Sequence, residues 1–243
     1  MKEVLELIEQ RKREFTKLPF FEYLGNESID PKQRLAWVPY ISPLVMSFAD
    51  LWKYDFRKEP ANNQLQELIN KHTYEDDYHW IWFLEDLEKL GFNYSLKFSD
   101  SLRFLWSEKT TNTRLLCHKI GLYTFEKEPF IVVSAIQTME ATFEVVLSRT
   151  IPLIKEIQAT TNQRYPYFGS HHWHVENNHA MNTEHNMELL KDIQLTENEK
   201  IKSFEVVEQL FYLFTESMNE LMINAKNYPI KQYDKETNFV NQV

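Results

Sequence analysis

Residues 170–185 read SHHWHVENNHAMNTEH and hold five of the eight histidines in the 243-residue chain. If the stretch is helical, with 100° between residues, His172, Glu176 and His179 fall on one face. Their i, i+4, i+7 spacing lets side chains from consecutive turns converge on one point. The remaining histidines project away from that face, and a surface position is expected for two of them: His174 and His185.

A solvated polar face and a loose histidine-rich tract are alternative interpretations of this stretch. The rest of the chain helps to separate them from a defined metal site. A second helix is predicted from a cap at Asn62 or Asn63 to a glycine stop at Gly91. Its apolar stripe contains four ionisable residues: His72, Glu75, Asp76 and His79. The alternative is that this stripe reaches the surface in the middle of the helix.

A third helix, predicted over residues 129–160, carries Glu140 within a stripe of Ile, Phe and Leu side chains. Glu144 lies one turn later on nearly the same face. A carboxylate in an apolar stripe is costly to bury unless it is paired or protonated. A single buried glutamate can be satisfied by a tyrosine or an arginine, so Glu140 alone does not indicate a metal.

Taken together, the three helices place imidazoles and carboxylates inside apolar stripes, and joint burial is the economical explanation. Calcium prefers oxygen ligands alone, and structural zinc prefers thiolates. A mixed N/O set larger than one zinc ion needs is typical of a di-iron or di-manganese centre inside a helical bundle.

These motifs resemble those of the heme-oxygenase-like di-metal oxidases, which include the CADD-like proteins and share an all-α bundle of about seven helices with TenA and PqqC. The similarity covers residues 60–220, and Glu176 stands where that family usually has aspartate. The ligands that the resemblance implies are Glu75, His79, Glu140, His172, Glu176 and His179, with His72, Asp76 and Glu144 as alternatives.

The resemblance implies oxygen chemistry. We expect two Fe ions (or Mn), with O2 as co-substrate, acting on a small organic substrate. Four aromatic residues near the first ligands are expected to line the pocket, to carry an oxidising equivalent, or only to pack: Tyr74, Tyr78, Trp80 and Trp82.

Two other functions remain open at this stage. A TenA-like metal-free hydrolase of thiamin-related pyrimidines needs a cysteine nucleophile, and Cys117 is the only cysteine in the sequence. Its leucine neighbours suggest an inert buried thiol. A non-catalytic, CADD-like interaction protein is the other alternative.

Composition limits the remaining possibilities. Only 4 glycines and 9 prolines punctuate the sequence, which favours long helices over strands with tight turns. We therefore expect one helical domain over 1–243, with a core at about 30–226 and a polar tail at 228–243. Further helices are predicted at 2–17, 99–108, 110–127, 170–193 and 197–225. Asp30 is expected to cap a helix that begins at Pro31, and Thr196 and Glu199 to form a capping box at the start of the last helix.

The net charge is −9 and no block of Lys or Arg occurs, so we expect neither nucleic acid nor an anionic membrane as a partner. The apolar runs look too short to span a bilayer. The N-terminal residues lack the apolar core of a signal peptide, which favours a cytoplasmic protein. A homodimer remains open.

Overall fold

All regular secondary structure in the part of the chain described by the computed structural model, residues 1–176 and 178–227, is helical. The all-α class expected from the sequence is confirmed. The polar tail predicted at 228–243 lies outside the described residues.

The α-helices follow one another in this order: α1 (Lys2–Phe15), α2 (Pro19–Leu24), α3 (Pro31–Arg34), α4 (Ser42–Asp50), α5 (Gln64–Asp76), α6 (Trp80–Lys89), α7 (Phe98–Leu105), α8 (Thr111–Thr124), α9 (Pro129–Thr161), α10 (Ser170–Glu176), α11 (Glu184–Asp192) and α12 (Glu197–Asn227). Short 3-10 segments lie at Val38–Ile41, Glu108–Thr110 and Ala180–Asn182, and a π-helical segment follows α4 at Leu51–Phe56.

Several helix ends have the capping groups that the sequence predicts. The Asp30 carboxylate accepts two backbone N–H groups at the start of α3, and the Asn63 side chain caps α5. Gly91, just beyond α6, has a φ of 75°, a conformation that costs glycine little. Thr196 and Glu199 form a reciprocal capping box at the start of α12.

The prediction of one uninterrupted helix from Asn62 or Asn63 to Gly91 is wrong. The chain turns between α5 and α6, and the N–H of His79 donates to the Asp76 carbonyl across the turn. The Arg57 guanidinium holds this turn by donating to the Thr73 carbonyl at 2.9 Å and to the Asp77 carboxylate at 2.7 Å. Because Arg57 is distant in sequence, helical periodicity does not reveal the break.

The single helix predicted over 170–193 is also wrong, because α10, the short 3-10 segment and α11 occupy this stretch. The N–H of Ala180 donates to Glu75 Oε2 at 2.8 Å instead of continuing a helical ladder. The Asn182 side chain donates to the Glu176 carbonyl at 3.0 Å. Between α10 and α11, hydrogen bonds to the side chains of Glu75 and Asn182 therefore replace backbone hydrogen bonds of a continuous helix.

Helix α9 lies at the centre of the fold and packs against α1, α5, α8 and α12. By length and composition it could cross a membrane, contrary to the expectation that every apolar run is too short. Its most apolar window is 78% buried by the other helices, which is the pattern of a core helix.

The buried hydrophobic side chains form one cluster that extends from Met1 to Ala225. The core was expected to begin at about residue 30, but it begins earlier, because α1 buries Val4 and Ile8 and α2 buries Phe20. Packing of α1 against α9 and α12 explains this extension. The single domain proposed for 1–243 stays a prediction.

Candidate metal centre

Four parts of the chain bring imidazoles and carboxylates together inside the bundle. Helix α5 supplies two residues, the turn before α6 one, α9 one, and α10 with the turn after it three. In chain order they are His72, Asp76, His79, Glu140, His172, Glu176 and His179.

Two groups of four within this set could each hold a metal ion, since the ligand atoms in a group all lie within 4.8 Å of one another. Each group offers two carboxylates and two imidazoles. The first is His72, Asp76, Glu140 and His179, and the second is Asp76, His79, Glu176 and His179. Two residues are common to both groups, which places the two possible ion positions side by side.

Asp76 lies between the two groups. One of its oxygens, Oδ2, is 3.0 Å from His72 Nε2, and the other, Oδ1, is 3.3 Å from both His79 Nδ1 and His179 Nδ1. A carboxylate with one oxygen toward each group is suited to bridging two cations.

His172 lies at the edge of the second group. Its Nδ1 is 2.8 Å from the Tyr167 carbonyl, which can only accept, so Nδ1 carries a proton and donates it. Its Nε2 then points toward Glu176 Oε1 at 2.7 Å and His79 Nδ1 at 3.1 Å. A backbone carbonyl that fixes the tautomer in this way is the usual support of a metal-ligating histidine.

The cluster is buried, and many of its polar atoms lack hydrogen-bond partners. His72, His172 and His179 are at most 3% exposed. Buried polar atoms normally find a partner, and an ion is one explanation when they do not. Several of these atoms lie within ion-pair distance of one another without an aligned hydrogen bond. The atoms without such a bond are both ring nitrogens of His72 and of His179, together with Asp76 Oδ1, His79 Nε2 and Glu176 Oε2. This donor set fits divalent cations.

The electrostatics of the cluster also call for positive charge. Burial lowers the pKa of His72, but the neighbouring Asp76 and Glu140 carboxylates outweigh it and raise that pKa well above the ordinary value. The same opposition between burial and carboxylates, chiefly Glu176, raises the pKa of His179 to about 9. Burial and the Glu176 charge raise the pKa of Glu140 to about 7. Without a cation, protons supply the neutralising charge.

Two cavities reach this cluster. A large cleft of about 680 Å³, the outer cleft, is bounded by α1, α9, α10 and α11. A small cavity of about 40 Å³, the inner cavity, is bounded by α4 and by the cluster itself. Glu140, Phe143 and Glu176 line both.

The structure brings together five of the six residues first expected as ligands, together with two of the three alternatives, His72 and Asp76. The exception among the six is Glu75, whose carboxylate accepts the Ala180 N–H and belongs to neither group. The reason is helical rotation, since neighbours on a helix point 100° apart and Asp76 is the one that faces inward. The third alternative, Glu144, is exposed and pairs with Lys12.

The aromatic residues near the first ligands differ in their roles. Trp82 stacks on the His79 ring with 4.3 Å between centroids, and Trp80 lines the inner cavity. Tyr74 and Tyr78 are 49% and 41% exposed, and the Tyr74 hydroxyl donates to Glu59. The expected surface positions of two histidines are confirmed, since both are exposed: His174 and His185.

Two further neighbours of the cluster were not expected from the sequence. The Asn182 side chain donates to Glu140 Oε2 at 3.3 Å, and the Trp52 ring meets the His72 ring edge-on at 5.4 Å. Trp52 lies in the π-helical segment after α4, and such segments are frequent at functional sites. Asn182 lies in the short 3-10 segment after α10 and not in an α-helix, so helical spacing could not reveal it.

The thiol of Cys117 is buried, as its leucine neighbours suggested. Its Sγ lies 3.9 Å from the Leu44 carbonyl, and burial raises the pKa of the thiol. Cys117 lines neither the outer cleft nor the inner cavity. A nucleophile of the TenA type therefore has no support from its position.

No protein-family model and no curated protein matches the sequence. The structure is similar to the crystal structure of a domain of unknown function with a heme oxygenase-like fold from Shewanella denitrificans OS217. The TM-score is 0.65 at 15% sequence identity, over 97% of this chain and 96% of that one. At this identity the likeness concerns the fold alone. The chain therefore has the heme-oxygenase-like fold expected from its motifs.

Proposed function

We propose that the chain is a non-heme di-metal oxidase that uses O2 to oxidise a small organic substrate. The observation that carries the proposal is the pair of adjoining groups that share Asp76 and His179. The first ion would be held by the first group, and the second ion by the second group with His172 completing it.

Iron is the metal of the proposal and manganese its alternative, because both accept these ligands. Imidazole and carboxylate together favour first-row divalent metals, whereas calcium and structural zinc prefer other sets. When bound, the two ions would supply the activation of dioxygen. The protein supplies fixed ligand positions and a buried setting that limits water.

The surrounding residues have defined tasks in this proposal. The Tyr167 carbonyl holds the proton of His172 on Nδ1, which keeps Nε2 available to a metal. Asn182 links the carboxylate of Glu140 to the backbone of Glu176 and so ties α9 to α10. The side chains of Glu140 and Glu176 line the outer cleft, which has room for an organic molecule.

Anaerobic loading with Fe(II), followed by mixing with oxygenated buffer, tests the proposal. We expect about two iron ions per chain, a transient charge-transfer absorption band, and consumption of O2. Zinc-loaded protein is the matched control and should give neither the band nor O2 uptake. Iron binding without any reaction with O2 would instead support the non-catalytic interaction protein.

A further inference from the structure

The lining of the inner cavity is of two chemical kinds. Helix α4, the segment after it and one turn of α9 contribute apolar side chains, and the metal cluster contributes polar ones. The apolar residues include Val45, Phe48, Ala49, Trp52 and Met139. The polar ones are Asp76, His79, Glu140, His172 and Glu176.

Its size limits what it can hold. A cavity of roughly 150 Å³ admits benzene, whereas this one, at about 40 Å³, has room only for a molecule of a few atoms. When metal ions engage the polar side chains of the cluster, the remaining apolar lining offers a water molecule few hydrogen-bond partners. Cavities with apolar walls stay dry and take up xenon. A small apolar gas is therefore the ligand that fits.

The outer cleft is far larger, about 680 Å³, and its lining combines apolar side chains with charged ones of both signs, among them Lys2, Arg13 and Glu144. An organic substrate with polar groups fits there and not in the inner cavity. Phe143 lines both spaces and contacts the Phe48 ring at 5.6 Å and the His172 ring at 6.2 Å. Its ring thus stands where the two spaces meet.

We propose that the inner cavity is a dioxygen-binding pocket, separate from the outer cleft that takes the organic substrate. This inference rests on the proposed function, because only an oxidase would need a pocket for dioxygen. The two reactants reach the cluster from different spaces, with Phe143 as the partition. The organic substrate can then occupy the outer cleft without blocking access of the gas.

Two alanines provide a matched pair of variants. Ala49 lines the inner cavity and Ala141 lines the outer cleft, and both are buried positions within helices. Leucine is a good helix former, so Ala49→Leu and Ala141→Leu add similar volume at similar cost to the helix. Ala49→Val fills less space and keeps the test available if Ala49→Leu does not fold.

Xenon binding to zinc-loaded protein is the readout that does not depend on iron. In crystals pressurised with xenon, we expect a xenon atom beside Ala49 in the parent and in Ala141→Leu, and its loss in Ala49→Leu. Xenon that persists in Ala49→Leu, or that lies only in the outer cleft, would overturn the proposal.

The iron-loaded proteins give the second readout. The reaction with O2 should be severalfold slower in Ala49→Leu than in the parent, at unchanged iron content. An unchanged rate in Ala49→Leu would reject the pocket and leave the proposed function standing. Xenon in the cavity without any reaction of the iron-loaded parent would overturn the proposed function, and with it the assignment of the cavity to dioxygen.

Discussion

Asp76 and His179 are the residues on which the two groups depend, since each group needs both of them. Asp76 follows His72 by four positions, so both side chains can face one way from the end of α5. His79 reaches the same place from the turn before α6, and His179 from a turn after α10 with φ −61° and ψ 148°. The convergence thus combines helical spacing with two residues that lie in turns.

His179→Ala should lower the metal content to less than one ion per chain and leave the helix content unchanged. The reason is that the substitution removes a nitrogen from both groups, while the ion-pair contacts of the side chain are with two carboxylates of the cluster, Asp76 and Glu176. Elemental analysis after loading, together with circular dichroism, measures both effects. His174→Ala is the control, because His174 is exposed and bonds only locally to Ser170. Equal iron in His179→Ala and in the parent would contradict the assignment.

At this scale the sequence predicted the residue types and most of the positions. A continuous helix was the premise for selecting His172, Glu176 and His179. The helix ends at Glu176, and the three side chains converge nevertheless. The choice between Glu75 and Asp76 was not determined by spacing. Both lie in one apolar stripe, and the rotation of α5 about its axis, set by its packing against α9 and the segment after α10, decides which of them faces the cluster.

At the scale of elements, the helix ends that carry capping residues were predictable, whereas the two breaks beside the cluster were not. Asp30, Asn63 and Thr196 act through neighbours in sequence, so their effect can be read locally. The break after α10 depends on Glu75, which is 105 positions from Ala180. No local pattern contains such a partner.

Glu75→Ala should weaken metal affinity by about 10- to 100-fold, the usual cost of losing a residue that orients a ligand. The carboxylate holds the Ala180 N–H, and this bond fixes the turn that presents His179. Saturation should still reach the parental number of ions, since Glu75 belongs to neither group. Glu75→Gln keeps an oxygen acceptor and should recover much of the affinity. A loss of stoichiometry in Glu75→Gln, measured by metal titration, would make Glu75 a ligand after all.

A second contact between elements joins α6 to the segment before α10. Asp86, completely buried, accepts the backbone N–H groups of Tyr167 and Phe168 at 3.1 and 2.8 Å. Burial raises the pKa of Asp86 from 3.8 to about 7. The folded state therefore binds this proton more tightly than the unfolded state does. The stabilisation from protonation is complete below pH 3.8 and is lost as the pH rises through about 7.

Asp86→Asn should remove this dependence. Between about pH 5.5 and about pH 8 the parent should lose about 2 kcal/mol of unfolding free energy relative to the variant. Urea titrations of metal-free parent and variant at both pH values measure the difference, and other titrating groups cancel in the comparison. Parallel pH profiles for the two proteins would show that Asp86 is ionised in the folded state across this range.

At the scale of the whole molecule, burying carboxylates and imidazoles in the middle of a helical bundle would destabilise the fold unless cations neutralise the carboxylates. Three carboxylates and four imidazoles meet at α9, whose most apolar window is 78% buried. The all-α class followed from composition and helical periodicity. The packing of α1 into the core did not, because it depends on contacts with α9 and α12.

Metal should stabilise the folded protein, since the cluster forms only when these helices pack together. At ~100 times the dissociation constant, each ion adds about 3 kcal/mol to the free energy of unfolding. Differential scanning calorimetry with Fe(II) or Mn(II), before and after addition of a chelator, should show a rise in Tm that the chelator reverses. His179→Ala should lack most of this rise. A Tm that metal leaves unchanged would indicate that the cluster is held by protons alone.

Anomalous diffraction from crystals of the metal-loaded protein tests the central claim most directly, because one map identifies the element, counts the ions and locates their ligands. We predict two neighbouring peaks at the iron or manganese edge, with Asp76 and His179 adjoining both. A single peak elsewhere, or none between α5, α9 and α10, would contradict the account.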